Sequence, residues 1–438
     1  MKKNRVLILG GGFGGIYAAL EFERRREPDF DVTLVSHDNF FLFTPMLHEV
    51  AAGDLDLTHI VNPIRKMLRH VRFFEGEVLS VDILRRQVTV IHGFDQHTHA
   101  LDYDHLVLAL GSVTNFYDIP NLAETATQMK TLGDAIGLRN RLIEHLEEAA
   151  TECAAKDREP LLTFVVAGGG FAGVETIGSI NDFFKAALPY YPTISSEMIK
   201  VILVHPGEFI LPELGEELGR YASRKLTERG VEIRANTRIK AVTPSAVELS
   251  DGSQIAAFTL VWTAGTCPPP LLHELDLPKE RQRLRVNQTL EVDDHPNIWA
   301  LGDCAMIPDQ HGGFQPPTAQ HASREGKVLA HNIVARSRGE KLTSFRFNTL
   351  GLLASIGRRT GVARVFGVNF SGFPAWWLWR TIYLLKLPRI EKKVRVAMDW
   401  TLDLFFSRDF VQYLHNRPSG AVSIPSEHIE GISSRRCP

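Results

Sequence analysis

Two glycine clusters are the parts of the sequence whose residue types and spacing most directly imply chemistry. Gly10-x-Gly12-x-x-Gly15 comes straight after the apolar run Val6–Leu9 and opens a helix-like segment. Gly168-x-Gly170-x-x-Gly173 repeats the arrangement about 160 residues later. In a strand–turn–helix the first glycine allows a tight turn, the second lets the backbone approach a pyrophosphate, and the third lets helix and strand pack closely. The helix N-terminus favours the phosphate charge. Two such loops in one chain point to two dinucleotides, FAD and a nicotinamide, with hydride passing between them. The acid that usually binds the ribose, roughly 20 residues on, is replaced by Ser36 and His205, with Asp38 and Glu208 nearby. No arginine stands out as a ligand for a 2′-phosphate, and the pattern leaves both NADH and NADPH open.

These loops need strands in front of them and helices behind. Asp31–Ser36 predicts the second strand of the first unit, and residues 102–111 a strand feeding a turn. Residues 134–159 predict an acidic helical stretch stopped by Pro160. The second unit begins at Leu161, with Lys200–Glu208 as its second strand and a later strand in Leu260–Thr266. Asn297–Cys304 reads as an apolar strand ending in a Gly-Asp turn.

The length, 438 residues, suggests roughly three domain-sized units at about 150 each. Hydrophobic residues at 44% and charged residues at 23% exclude a disordered, collagen-like or coiled-coil chain. A net charge of −2 gives no electrostatic case for nucleic acid. Cys153, Cys267, Cys304 and Cys437 form no CxxC pair, which fits a reducing compartment. The basic start and following apolar run dissolve into glycines, so they read as a strand and not a signal peptide. His92, His97 and His99 fall in a polar, hairpin-like stretch and read as a solvated loop; no metal is expected.

After about Phe345 the composition shifts. Trp376, Trp377, Trp379 and Trp400 are four of the chain's six tryptophans. Two short helices broken at Pro388 are predicted, with Arg380, Lys386, Arg389, Lys392, Lys393 and Arg395 set against Glu391 alone. In the second helix Lys392, Arg395, Asp399 and Asp403 share a polar face, and Val394, Met398, Leu402 and Phe405 form an apolar stripe. Aromatic and basic residues beside an apolar face are the pattern of an interfacial helix, with the basic side favouring anionic headgroups. The uncharged stretch Val365–Trp379 is too short to span a bilayer, which takes about 20 residues.

Taken in order, LGGGFGG, LFTPMLHEVAAG (Leu42–Gly53), LVLALGS, VVAGGGFAGVE, VWTAGT, WALGDC, PPTAQHA (Pro316–Ala322) and LASIGRRTGV (Leu353–Val362) make the chain resemble the type II NADH dehydrogenases. These are single-subunit NADH:quinone oxidoreductases of the pyridine nucleotide-disulfide oxidoreductase superfamily that lack the redox disulfide. The resemblance covers nearly the whole chain. It implies an α/β fold with two Rossmann-like dinucleotide-binding domains, as in glutathione reductase, plus a C-terminal membrane-associating helical segment. Residues 1–115 and 285–345 would bind FAD, 116–284 NAD(P)H, and 346–438 would face quinone and membrane and offer a dimerisation surface.

The resemblance also implies the site. The pyrophosphate of a non-covalent FAD would lie on Gly10, Gly11, Gly12, Phe13, Gly14 and Gly15, with Ser36, His37 and Val78 at the adenosine end. Ala109 and Gly111 would line the cofactor, and Asp303 would bond its ribityl or phosphate region. Gly168, Gly170, Gly173, His205 and Gly265 would make further cofactor contacts. Glu175 would contact the nicotinamide or deliver a proton, and Ala319 and Gln320 would lie near flavin and quinone. The family often has further glutamines four or five residues later; here those positions are Arg324 and Glu325, which leaves the quinone contacts open. The implied partners are a membrane quinone, the membrane surface and a second copy of the chain. The implied location is peripheral, on the cytoplasmic face of the inner (plasma) membrane, with no proton pumping.

Two other readings remain. A sulfide:quinone oxidoreductase needs two cysteines at the flavin, and Cys304 and Cys153 make a poor pair. A non-catalytic dinucleotide-binding regulator is supported only by Ser36 and His205 in place of acids.

Overall fold

The structure, a computed structural model, describes residues 3–152 and 154–413. Cys153, Cys437 and the last part of the expected C-terminal region lie outside the described residues.

The chain opens with β1 (Asn4–Leu9), α1 (Phe13–Arg25) and β2 (Phe30–Ser36). Val6–Leu9 is buried throughout, as a strand inside a parallel sheet covered on both faces must be. A short helix α2 (Leu47–Ala51) and β3 (Arg72–Glu75) follow. Next come three antiparallel strands, β4 (Glu77–Asp82), β5 (Gln87–His92) and β6 (His97–Asp102), and then β7 (His105–Leu108). Helix α3 (Leu132–Thr151) leads to β8 (Thr163–Ala167), α4 (Phe171–Ala187), β9 (Lys200–Val204), β10 (Val231–Arg234) and β11 (Thr259–Trp262). The chain then supplies β12 (Ile298–Ala300) and α5 (Ala319–Arg338). It continues with the antiparallel strands β13 (Gly351–Ser355), β14 (Gly361–Val365) and β15 (Val368–Gly372), and with helices α6 (Phe373–Lys386) and α7 (Ile390–Leu402).

Two parallel sheets result. The first runs β12-β7-β1-β2-β3, so residues 298–300 return to pair with residues 106–108. The second runs β10-β9-β8-β11. In each, the strand that feeds a glycine loop has neighbours on both sides, which places the loop at the crevice where such sheets bind ligands. The two units are stitched by Val113–Thr114 pairing antiparallel with Thr266–Cys267. Helix α5 lies on α1 through Gly326, where an added Cβ would stand 2.7 Å from the Ala18 nitrogen. One apolar core runs from both sheets into the C-terminal helices and includes Trp379 and Trp400.

Two expectations are corrected. The acidic helical stretch is not continuous to Pro160. Its first helix starts behind Thr131, whose side chain and that of Asp134 cap reciprocally, and ends at Thr151. Glu152 is extended and its carboxylate accepts from the Ala154 N–H, a local bond that competes with the helix, and Pro160 sits inside a second helix, Ala155–Leu161. The histidine stretch is not a loop. Val88 and Val90 alternate with polar residues, are fully buried, and hold His92 and His97 on paired strands.

Candidate functional site

The two glycine loops are built alike. Gly10 has φ +112° and Gly168 φ +113°, a region that disfavours a side chain. A Cβ at Gly15 would run into the Gly10 carbonyl, and one at Gly173 into the Gly168 carbonyl, so the third glycine of each motif is where helix meets turn. Gly12 and Gly170 differ: an added Cβ there meets nothing within 4 Å. That open side at a helix N-terminus is the room a pyrophosphate requires, and both loops fit the group their spacing implies.

The residues replacing the ribose acids also correspond. Ser36 lies under Gly11, and the His205 ring lies under Gly169, accepting its N–H on Nδ1 at 3.1 Å. Ala109 packs beneath Gly10 and Gly15, and Leu301 beneath Gly14. His37 is exposed beside Asp38, Val78 pairs with Val90, and Gly265 (φ +99°) is roofed by the Tyr117 ring. These three lie outside the lining of the main cleft.

That cleft has a volume of about 1200 Å³. It brings together Gly12 and Phe13 of the first loop, Gly111, Asp303, Ala319 and Gln320, with Glu175 from the helix after the second loop. Helix α6 closes one end with Tyr383, Leu385 and Lys386. Asp303 accepts the Ser112 hydroxyl at 2.8 Å, and Ser112 in turn receives Lys130 Nζ on its carbonyl (2.8 Å) and hydroxyl (3.0 Å). Lys130 is shifted below the usual ammonium range, chiefly by burial. Neither Ser112 nor Lys130 was singled out by the sequence; Ser112 ends the LVLALGS motif, but no local pattern marks Lys130.

Glu175 is buried on α4. Trp379 Nε1 of α6 donates to its Oε1 at 2.8 Å, and the Ser355 N–H donates to the same oxygen at 3.2 Å. Burial pushes its pKa up to about 8, against these two bonds. His48 Nδ1 lies 3.8 Å from the other oxygen, Oε2. That distance suits an ion pair, but burial lowers His48 to about 3, so at neutral pH a neutral imidazole faces a protonated carboxyl. His48 Nε2 is buried and has no hydrogen-bond partner among the described residues. The residue lines both the main cleft and a small polar cavity of about 30 Å³ that Glu49, Asp54, Arg380 and Arg408 share. His48 lies within the LFTPMLHEVAAG motif, yet only the tertiary structure sets it beside Glu175, where its ring also packs against Trp379 (5.4 Å between rings).

Gln320 donates its amide to the Gly351 carbonyl at 3.3 Å, and both line the cleft. The two residues that depart from the family pattern separate. Arg324 lines the cleft, stacked over Phe347 at 4.1 Å and donating to the Gln320 carbonyl at 2.7 Å. Glu325 turns inward, accepts the Gly302 N–H at 2.8 Å, and is pushed by burial to about 8.

On α7 the expected apolar stripe is exposed, as an interfacial helix requires, while part of the side expected to meet headgroups is turned into the fold. Lys392, Val396 and Trp400 are buried, while Ile390, Val394, Met398 and Leu402 are 49–75% exposed. Lys392 Nζ donates to the Thr58 carbonyl at 2.6 Å, Asp399 bonds the His59 ring, and Trp400 Nε1 donates to Glu49 at 3.0 Å. Lys392 and Asp399 of the polar face thus turn inward, Arg395 stays exposed, and the apolar stripe faces outward. The basic residues are largely used inside the fold: Arg380 lies between the Trp376 and Trp400 rings, and Arg389 pairs with Glu391. Among the described residues, no helix is long and apolar enough to cross a membrane.

Cys304 is fully buried, donates to the Leu108 and Leu301 carbonyls at 3.3 Å, and is raised to about 11 by burial. It is not a thiolate poised at the cleft.

Residues 4–326 match the pyridine nucleotide-disulphide oxidoreductase family, and residues 350–409 match the NDH2 C-terminal domain. A type II NADH:quinone oxidoreductase of Mycobacterium tuberculosis is 31% identical over 444 residues, covering 98% of this chain and 90% of its own. The external NADH-ubiquinone oxidoreductase 2 of Saccharomyces cerevisiae mitochondria is 31% identical over 457 residues, covering 93% and 82%. The solved structure of NDH2 from Plasmodium falciparum in complex with NADH shares the fold, with a TM-score of 0.87 at 20% identity, covering 94% of this chain and all of that one.

Proposed function

The chain belongs to the pyridine nucleotide-disulphide oxidoreductase family, and within it to the type II NADH:quinone oxidoreductases; from that membership and the geometry of the cleft we infer that it oxidises NADH and reduces a quinone through a non-covalently bound FAD. The observation that carries the reading is the single cleft onto which the first glycine loop, the helix of the second loop and the C-terminal helix α6 all open.

Bound there, FAD supplies a two-electron carrier between nicotinamide and quinone. The chain's own residues do the rest. Gly12 leaves room for the pyrophosphate, and Asp303, held by the Ser112 hydroxyl, offers its second oxygen to a cofactor hydroxyl. Gly170 and Gly173 seat the second dinucleotide. Glu175 holds a proton at neutral pH, with Trp379 and Ser355 fixing Oε1 so that the proton sits on Oε2, and is the candidate donor for the protons that follow two electrons. Gln320 and Arg324 present polar groups where a quinone carbonyl would enter.

The outward stripe of α7, continued by Phe405 and Phe406, is the surface that rests on the membrane, so that an apolar quinone reaches the cleft beside it. The location that fits is peripheral, on the cytoplasmic face of the inner (plasma) membrane, with a second copy of the chain as the other occupant of the same apolar region. A sulfide donor is disfavoured by the bonded, buried state of Cys304.

The test is anaerobic addition of NADH to the purified protein, followed in the visible flavin band, and then a soluble quinone. Bleaching by NADH and recovery with quinone is the expected result. A band that NADH leaves untouched overturns the reading.

A further inference from the structure

The β5–β6 hairpin carries a group of side chains outside the cleft. Cross-strand pairing sets His92 opposite His97 and Val90 opposite His99. Residues two apart on a strand share a face, so His97 and His99 project together and His92 joins them from the partner strand. The ring centroids are 4.2 Å (His92–His97), 4.7 Å (His92–His99) and 4.9 Å (His97–His99) apart. The Nε2 atoms of His92 and His99 are 2.8 Å apart, and one ring nitrogen from each of the three lies within 4.8 Å of the others. Phe74 of β3 closes the inner side, edge-on to His92 and His99 at 5.1 and 5.4 Å. The turn between the strands returns Asp95 to His97, with Oδ1 2.6 Å from Nδ1.

We propose that His92, His97 and His99 form a binding site for one divalent transition-metal ion of the Zn²⁺ class. The sequence alone reads this stretch as solvated; the strand pairing gives it a different meaning. Three imidazoles without a thiolate suit Zn²⁺, Ni²⁺ or Cu²⁺. In a tetrahedral site with metal–nitrogen bonds of about 2.0 Å, the donor atoms stand about 3.3 Å apart. The His92–His99 contact is already within that distance, and His97, exposed at the strand end, has freedom to close on it. Asp95 on Nδ1 selects the tautomer of His97 whose Nε2 lone pair is free, the arrangement that usually orients a metal-bound imidazole. Three protein ligands leave a fourth position for water.

The test uses the FAD-loaded chain made without a polyhistidine tag, stripped with a chelator and dialysed against Zn²⁺, with bound metal counted. One ion per chain is expected. His99→Gln should weaken binding at least tenfold, and Asp95→Asn, which keeps all three imidazoles, about tenfold. Circular dichroism and retained flavin report the fold of each variant. Should His99→Gln not fold, His97→Gln at the exposed strand end takes its place. Binding of less than about a tenth of an ion per chain at saturating Zn²⁺, or unchanged affinity in the folded histidine variant, overturns the proposal.

Discussion

Trp379 Nε1 donates to Glu175 Oε1 over 2.8 Å, tying a C-terminal helix to the helix behind the second glycine loop. The bond joins residues 204 positions apart and fixes Glu175, which lines the cleft, from the fully buried Trp379 behind it. It makes the protonation of Glu175 depend on how the C-terminal helices dock.

Removing the carboxyl tests that dependence directly. Glu175→Gln keeps the shape but cannot release a proton. NADH-dependent quinone turnover should fall by about a hundredfold, with flavin content unchanged. Turnover of the native chain should decline as the pH passes about 8, where Glu175 ionises, and that limb should be missing in the variant. Stability carries the same signature. Between the ordinary carboxyl value of 4.5 and about 8, the folded chain holds a proton that the unfolded chain has released. The contribution of Glu175 is therefore greatest below pH 4.5 and is lost as the pH rises to about 8. pH-rate profiles and denaturant melts of both proteins check these expectations.

Trp379→Phe removes the donor and keeps most of the aromatic packing. The indole bond lowers the Glu175 pKa, so its loss should move the alkaline limb to higher pH. Stability should drop by about 1–3 kcal/mol, because a buried oxygen loses a partner. An unmoved limb in the pH-rate profile would separate Glu175 from that limb.

The glycines give opposite outcomes in the two loops. Gly12→Ala adds a methyl to open space, so the chain should fold normally but hold FAD about tenfold more weakly, roughly 1.4 kcal/mol. Gly173→Ala drives a Cβ into the Gly168 carbonyl, so the second loop must deform. Flavin should stay bound while KM for NADH rises. Flavin retention after gel filtration and steady-state kinetics distinguish the two.

On the outer face of α7, Val394→Lys with Met398→Lys places two charges in the exposed stripe without touching the inward face. Binding to lipid vesicles should weaken at least tenfold, since each apolar side chain contributes on the order of 1 kcal/mol on burial. Turnover with a soluble quinone should persist. Because Lys392, Arg380 and Arg389 are engaged within the fold while Arg395 stays exposed, binding of the native chain should keep only a weak dependence on ionic strength. Vesicle sedimentation at two salt concentrations decides both points.

The sequence by itself determined what contiguous residues encode. The glycine loops, their strands and the break at Pro388 follow from turn chemistry and apolar runs, which act over a few residues. Local patterning also divided α7 into a polar and an apolar face. It could not say which face turns inward, because periodicity gives a helix two sides but no neighbour; Thr58, His59 and Glu49, more than 300 residues away, claimed the polar one. The same limit hid the pairing of His48 and Trp379 with Glu175 and the Lys130–Ser112–Asp303 chain. The burial that raises Glu175 to about 8 arises only when α2, α4, β13 and α6 pack together, since the cost of charging a carboxyl depends on every group that excludes water from it.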